Sequence, residues 1–365
     1  MQLKQLALAI ALAVTAVTPT LGHAEEKVLN IYNWSDYFDP AYLKKFEEKT
    51  GIKVNYDVYD SNDVLEAKLM AGGSGYDLVV PSNANLERQI KAGIHATVDK
   101  TKLSNYANLD EQLKTAVAKF DTDNAHAVPY TWGTVGIAYN TQMIAKRLGD
   151  APLDSWDALF KPETAAKLAD CGIAVLDSAS DMMPLALHYL GLNPNSEETA
   201  DLEKATDLMK SVRPSLKYFH SSKSIADLAN GEICMAVGFN GDMLQAKDRA
   251  VEAKNGNEIK YVIPKEGTIQ WYDSMVIPAD AKHKEEAQQF MDFVLEPETA
   301  ASIANFVFYA VANNKAEPLI KDEVKNDPGI YPPADVKSKL FVQQAHGAAY
   351  DRKLSRAWSS IKTGR

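Results

Sequence analysis

The sequence predicts an α/β protein made of two lobes that face each other across a cleft. Strand and helix patterns alternate in the first hundred residues, and a second such series begins after residue 133. Length supports two lobes, because a chain of 365 residues exceeds what one hydrophobic core normally serves. In an open α/β sheet, ligands bind beyond the carboxyl ends of the strands. Candidate functional residues are therefore sought at strand ends.

The first 24 residues have the pattern of a secretory signal peptide. Lys4 precedes an apolar run over residues 6–17, and Gly22-His23-Ala24 supplies small residues for cleavage. The run has about a dozen residues, fewer than the roughly 20 that a membrane-spanning helix needs. We therefore expect an exported, periplasmic protein that begins near Glu25 after cleavage.

Acidic residues outnumber basic ones, with 49 Asp and Glu against 39 Lys and Arg. A nucleic-acid site needs a basic surface, so we expect no nucleic-acid partner. Cys171 and Cys234 each lie beside an apolar run, and their spacing is unlike that of a C-x-x-C redox pair. In an oxidising compartment we expect them to form a disulfide.

The N-terminal elements follow the order βαβαβα, which indicates a mostly parallel sheet covered by helices. Gly51 and Gly72-Gly73 lie where helices should end, and Pro81-Ser82 starts the loop after the third strand. The predicted strands are 28–32, 52–59 and 76–80, and the predicted helices are 41–49, 64–70 and 86–91.

The second series repeats this architecture. Gly133 and Gly136 mark a plausible crossover between lobes, and residues 261–264 a plausible return. We expect lobe I to comprise residues 25–133 and 260–312, and lobe II residues 134–259 and 313–365. The predicted elements are strands at 135–139, 173–176, 233–237 and 274–277, helices at 164–169 and 284–295, and a polar helical tail from residue 313.

Three clusters pair aromatic rings with carboxylates near predicted strand ends. A ring face attracts an ammonium group by about 0.5 to 2 kcal/mol, and a carboxylate adds the charge-assisted hydrogen bond that selects it. The pattern therefore predicts a site for an organic cation. The clusters are Trp34-Ser35-Asp36-Tyr37, Phe239-Asn240-Gly241-Asp242 and Trp271-Tyr272-Asp273.

The motifs closely resemble those of the periplasmic polyamine-binding proteins of ABC importers. The resemblance covers essentially the whole chain after the leader, and it implies a type II periplasmic-binding fold whose cleft closes on putrescine or spermidine. It also implies delivery to a permease in the inner membrane and a monomeric protein, and we expect no cofactor and no metal. The motifs that carry it are residues 33–37, 76–82, 238–242, 272–273 and 307–310.

The resemblance implies a set of ligand-binding residues. It puts Trp34 and Tyr37 on the methylene chain of the polyamine and Asp242 and Asp273 on its amines. Ser35 and Asp36 would lie beside an amine, although both are also good helix N-caps. The full set is Trp34, Ser35, Asp36, Tyr37, Ser82, Asp181, Phe239, Asp242, Trp271, Asp273 and Tyr309.

Three positions depart from the putrescine-type pattern. Asp181 stands where Glu is common, Phe239 where Trp is usual, and Trp271 where Phe is usual. A shorter acid and a smaller ring should leave the slot roomier, which suits the extra aminopropyl arm of spermidine. We therefore expect spermidine over putrescine, with a putrescine-preferring protein as the alternative.

Two rival classes are considered. An exported hydrolase with paired carboxylates is one, but the chain has no G-x-S-x-G, H-E-x-x-H or dinucleotide-binding motif. An iron- or anion-binding relative is the other, and it would need clustered Tyr and His, or Arg and free helix N-termini. The candidate cleft is acidic and aromatic, so we expect a binding protein and not an enzyme.

Overall fold

The computed structural model describes residues 27–149 and 153–364, and the signal peptide predicted over residues 1–24 lies outside them. The strands are β1 Val28–Trp34, β2 Lys53–Tyr59, β3 Leu78–Val79, β4 His95–Ala96, β5 Val128–Asn140, β6 Ile173–Val175, β7 Leu216–Phe219, β8 Met235–Phe239, β9 Ile259–Val262, β10 Gln270–Met275, β11 Ile277–Pro278 and β12 Ala310–Val311. The helices are α1 Pro40–Thr50, α2 Asn62–Met70, α3 Asn83–Lys91, α4 Glu111–Val117, α5 Thr141–Leu148, α6 Asp157–Phe160, α7 Pro162–Leu168, α8 Ala179–Tyr189, α9 Thr199–Val212, α10 Lys223–Ala229, α11 Asn240–Ala253, α12 Lys284–Val294, α13 Pro297–Val307, α14 Asp322–Lys325, α15 Ala334–Lys337 and α16 Ala348–Thr363. None of these helices combines the length and the apolarity needed to cross a bilayer.

The predicted α/β class is confirmed. Strand β1 pairs in parallel with β2 on one side and β3 on the other, as the βαβαβα pattern predicts. A larger sheet has the order β10-β5-β8-β6-β7, with β9 and β12 also paired to β5. Strands β4 and β11 form a small antiparallel ribbon.

Strand β5 joins two groups of strands without a break. Its first half pairs with β10 and β12, and its second half pairs with β8 and β9. The crossover predicted near Gly133 is thus one continuous strand. A Cβ atom on Gly133 would lie 2.2 Å from Oδ1 of Asn240 and 2.5 Å from the ring of Trp271, so only glycine fits there.

The third aromatic–carboxylate cluster lies within a strand and not at its end. The sequence predicts a strand over 274–277, but β10 spans residues 270–275 because it pairs with β5 from Thr134 to Val128. Trp271 and Asp273 are two residues apart in β10 and therefore face the same side of the sheet.

The predicted disulfide between Cys171 and Cys234 is confirmed, with 5.4 Å between the two Cα atoms. It joins the residues just before β6 and β8, which are parallel neighbours. The amide of Cys234 also donates to the carbonyl of Cys171 at 3.1 Å, so the disulfide joins two segments that backbone hydrogen bonds already connect. Because β8 leads directly into α11, the disulfide and the residues Phe239 and Asp242 lie at opposite ends of β8.

Candidate functional site

A cavity of about 430 Å³ lies where the chain leaves β1, β2 and β8 and where β10 passes β5. We call it the inner cavity. Nine of the eleven predicted ligand-binding residues line it. The lining residues are Trp34, Ser35, Tyr37, Asp60, Ser82, Ser221, Ser222, Ile225, Phe239, Asp242, Trp271, Asp273 and Tyr309.

Five aromatic side chains of the inner cavity form a closed ring of edge-to-face contacts. Going around it, the centroid distances are 6.4 Å from Trp34 to Tyr37, 5.2 Å to Tyr309, 5.0 Å to Trp271, 6.0 Å to Phe239 and 5.8 Å back to Trp34. Edge-to-face packing of this kind stabilises each ring through its neighbours. The ring faces present negative quadrupole charge, which suits an organic cation.

Strand β1 places the first cluster. Trp34 is its last residue, and the indole N–H donates to the carbonyl of Val80 at 2.9 Å, which fixes the indole over the end of β3. The amide of Ser35 donates to the carbonyl of Tyr59 at 2.9 Å. Tyr37 then turns its hydroxyl group toward Thr131 of β5, so the loop after β1 reaches across to the large sheet.

Asp273 is buried in β10, with 3% of its surface exposed, and its carboxylate has two neutral donors. The hydroxyl of Tyr37 donates to Oδ2 at 2.7 Å, and the hydroxyl of Ser82 donates to Oδ1 at 2.6 Å. Asn62 donates to the Ser82 hydroxyl at 3.0 Å and so orients it. Burial raises the pKa of Asp273 to about 7, because these neutral donors offset only part of the lost hydration.

Asp242 lies in the first turn of α11, directly after β8. The Tyr309 hydroxyl donates to its Oδ1 at 2.9 Å, and the Asp242 amide donates to that hydroxyl oxygen at 3.2 Å. Burial raises the pKa of Asp242 to about 7; the nearby Asp36 raises it further and Arg249 opposes the shift. Asp242 is partly buried, and its carboxylate, like that of Asp273, is costly to ionise unless a cation joins it.

The structure places Asp36 outside the inner cavity. Its backbone is left-handed, with φ of 53°, and its carboxylate forms an ion pair with Arg249 at 3.1 Å, where 43% of the side chain is exposed. Neither Ser35 nor Asp36 caps the following helix, because Asp39 does so by accepting from the amide of Ala41.

Asp181 also lies elsewhere. It is in the first turn of α8, where it accepts hydrogen bonds from Ser178 at 2.6 Å and from Gln343 at 3.2 Å. It lines a neighbouring cavity of about 790 Å³ that shares Ser82 with the inner cavity. Burial raises its pKa. An Asp at this position therefore does not enlarge the inner cavity itself.

Sequence reasoning missed four lining residues, Asp60, Ser221, Ser222 and Ile225. Strand β2 ends at Tyr59, so the strand-end rule applied to this strand would have found Asp60. The two serines follow β7, a strand that the sequence analysis did not predict.

The charges of the inner cavity are all of one sign. Three carboxylates line it, and its lining residues include no Lys, Arg or His. Within residues 27–149 and 153–364, no group of His, Cys, Asp and Glu is close enough to hold a metal ion. The arrangement suits an elongated organic cation whose apolar stem lies against the rings and whose charged ends meet carboxylates.

Comparison with known proteins places the chain among binding proteins. Residues 41–332 match the family described as bacterial extracellular solute-binding protein. Two relatives are each 50% identical: the putrescine-binding periplasmic protein PotF of Escherichia coli, over 98% of this chain and 97% of the relative, and the putrescine-binding periplasmic protein SpuD of Pseudomonas aeruginosa, over 94% of both.

A solved structure from Listeria monocytogenes has a similar fold. It is described as a spermidine/putrescine ABC transporter, is 35% identical to this chain and superposes with a TM-score of 0.83. The match covers 93% of this chain and all of the Listeria chain. These similarities confirm the type II periplasmic-binding fold and the resemblance found in the sequence.

Proposed function

This chain belongs to the family of bacterial extracellular solute-binding proteins, and on that premise we propose that it captures a polyamine, putrescine, for an ABC importer. The observation that carries the proposal is the closed aromatic ring with the buried Asp273 and the partly buried Asp242 beside it. Among the described residues, the donors to both carboxylates are neutral hydroxyl groups. A diamine supplies two cations and an apolar stem, which matches this arrangement group for group.

Putrescine replaces the spermidine expected from the sequence. The two relatives at 50% identity are named for putrescine, whereas the solved structure at 35% identity has a name that includes both spermidine and putrescine. The spermidine argument also depended on a roomier slot, expected in part from the smaller ring of Phe239 and in part from the shorter side chain of Asp181. That residue lines the neighbouring cavity, so its shorter side chain leaves the volume of the inner cavity unchanged.

Capture requires no bond to be made or broken. We infer that lobe I, residues 25–133 and 260–312, and lobe II, residues 134–259 and 313–365, open and close about β5 and the segment between β9 and β10. Closure stacks the rings on the methylenes and shields the ion pairs from water. The protein is exported by a cleaved signal peptide and acts as a monomer. In its closed form it delivers the ligand to a permease in the inner membrane, and it has no catalytic role.

Isothermal titration of the ligand-stripped protein tests this function. Putrescine should bind one-to-one and raise the unfolding temperature, because a ligand that binds only the folded state stabilises it. Arginine and acetate are suitable controls, since the first does not match the spacing of two amines and the second has the wrong charge. Absence of heat and of thermal shift with every polyamine would overturn the proposal.

Putrescine affinity should fall as the pH drops from 8 to 6. The ligand favours the ionised form of Asp242 and Asp273, whose pKa values burial raises to about 7 in the ligand-free protein. Protonation of each carboxylate then lowers the putrescine affinity about tenfold between pH 8 and pH 6. Binding at pH 6.5 releases protons, because the bound ligand favours the ionised acids. Titrations in two buffers of different ionisation enthalpy measure the release. An affinity independent of pH would mean that both groups are already ionised without ligand.

Stability of the ligand-free protein should respond to pH in the opposite sense. Because the folded-state pKa values of these two groups lie above the unfolded value, their contribution to the free energy of unfolding is fully present below about pH 4. That contribution is lost as the pH rises through about 7. Thermal unfolding with and without putrescine at pH 6 and pH 8 compares the two effects.

A further inference from the structure

A third carboxylate, Asp60, stands where the inner cavity meets a second depression on the protein. This depression has a volume of about 640 Å³, and we call it the outer groove. Asp60 and Ser221 line both the inner cavity and the outer groove. The two spaces therefore adjoin at these side chains, one from the loop after β2 and one from the loop after β7.

Unlike those of Asp242 and Asp273, the carboxylate of Asp60 accepts no hydrogen bond from a hydroxyl group within residues 27–149 and 153–364. In the part of the chain that the structure describes, its ion-pairing contact is His220, whose Nδ1 is 4.0 Å away. That nitrogen accepts hydrogen bonds from the amides of Ser222 and Lys223, both at 3.1 Å. In the neutral ring it therefore carries no proton that it could donate to Asp60. Asp60 is half-buried, with 36% of its side chain exposed.

Two other carboxylates line the outer groove: Asp63, which is absent from the inner cavity, and Asp177, which is already neutralised. Lys362 donates to both oxygens of Asp177, at 2.8 and 3.0 Å, and the indole of Trp358 donates to one of them at 2.9 Å. An arriving cation would have to compete with Lys362 there. Asp60 requires no such exchange, and it lies next to the inner cavity.

We propose that Asp60 takes the third ammonium group of a triamine whose first two ammonium groups occupy the sites of Asp242 and Asp273. This rests on the proposed function, and it extends the ligand class from diamines to longer polyamines without making them preferred. Each ammonium that leaves water needs a carboxylate partner, so a third charge needs a third acid. The outer groove leaves room for the additional arm.

Replacing Asp60 tests the assignment by comparing putrescine with spermidine. Asp60→Asn should lower the affinity for spermidine about five- to tenfold, a modest loss because the pair of Asp60 and the third ammonium group is half-exposed. The affinity for putrescine should stay within about twofold of wild type. Retained putrescine binding also shows that the variant is folded. Asp57→Asn is the matched control, since Asp57 lies on β2 three residues before Asp60, is exposed, contacts Tyr76 and is absent from the inner cavity. It removes the same charge nearby and should change neither affinity.

The outcomes separate this inference from the proposed function. If the wild-type protein binds neither amine, the proposed function fails. If it binds putrescine but not spermidine, or if Asp60→Asn leaves spermidine unchanged, the role of Asp60 is overturned and the function stands. Equal weakening of both amines would also overturn it, because a residue that only steers cations toward the cleft affects diamines and triamines alike.

Discussion

Asp273→Ala should remove most of the affinity for putrescine, by about 2 to 5 kcal/mol or at least thirtyfold. The carboxylate is 3% exposed and lies beside the aromatic ring, so the ammonium that it receives is withdrawn from water. Without the acid, that ammonium group would be buried with the neutral hydroxyl groups of Tyr37 and Ser82 as its neighbours and no carboxylate to balance its charge. Titration of both proteins at pH 8, where the wild-type acid is ionised, measures the loss.

The ligand-free variant should remain folded. An ionised carboxylate without a cation is unfavourable at this buried position, so its removal offsets part of the lost hydrogen bonding. Asp181→Ala is a matched control, because Asp181 is also buried and also accepts two hydrogen bonds, but it lines the neighbouring cavity. Wild-type affinity in Asp273→Ala would exclude that residue from the site, and an equal loss in Asp181→Ala would bring Asp181 into it.

Reduction of the Cys171–Cys234 disulfide should lower the free energy of unfolding by about 4 kcal/mol. The bridge closes a loop with a sequence separation of 63 residues, and closing a loop of this size restricts the unfolded chain far more than the folded one. Denaturant titration with and without a reductant measures the change.

Putrescine affinity should change little on reduction. The same two strands are already held by the parallel ladder between β6 and β8, which positions the start of α11 without the bridge. The double variant Cys171→Ser/Cys234→Ser should match the reduced protein. A difference in unfolding free energy below about 1 kcal/mol would mean that the unfolded chain gains little freedom when the bridge is absent.

Local chemistry made much of the fold predictable. The βαβαβα pattern predicted β1, β2 and their parallel pairing. Its signals, the alternation of apolar and polar residues and the glycines that end helices, act over a few residues. The strand-end rule found Trp34 and Asp242 for the same reason. It also would have found Asp60 had it been applied to β2, whose last residue is Tyr59.

Pairing between distant segments escaped the sequence analysis. The strand that carries Asp273 was placed four residues too late, since its start is set by pairing with β5 and not by its own composition. No element was predicted from the sequence between residues 176 and 233, so β7, the loop after it and its two serines went unnoticed. Long-range contacts such as these have no short-range signature.

The sequence by itself determined the class of ligand and the chemistry that would hold it. Aromatic and acidic residue types limit what a cavity can bind, wherever they are placed, because ring faces and carboxylates both favour cations. Only the tertiary structure decided which of these residues meet. Asp36 and Asp181 have the right chemistry, yet an ion pair with Arg249 holds the first outside the inner cavity and hydrogen bonds from Ser178 and Gln343 hold the second in the next one. The relative placement of β1, β5, β8 and β10 made that choice, because it fixes which side chains line the same cavity.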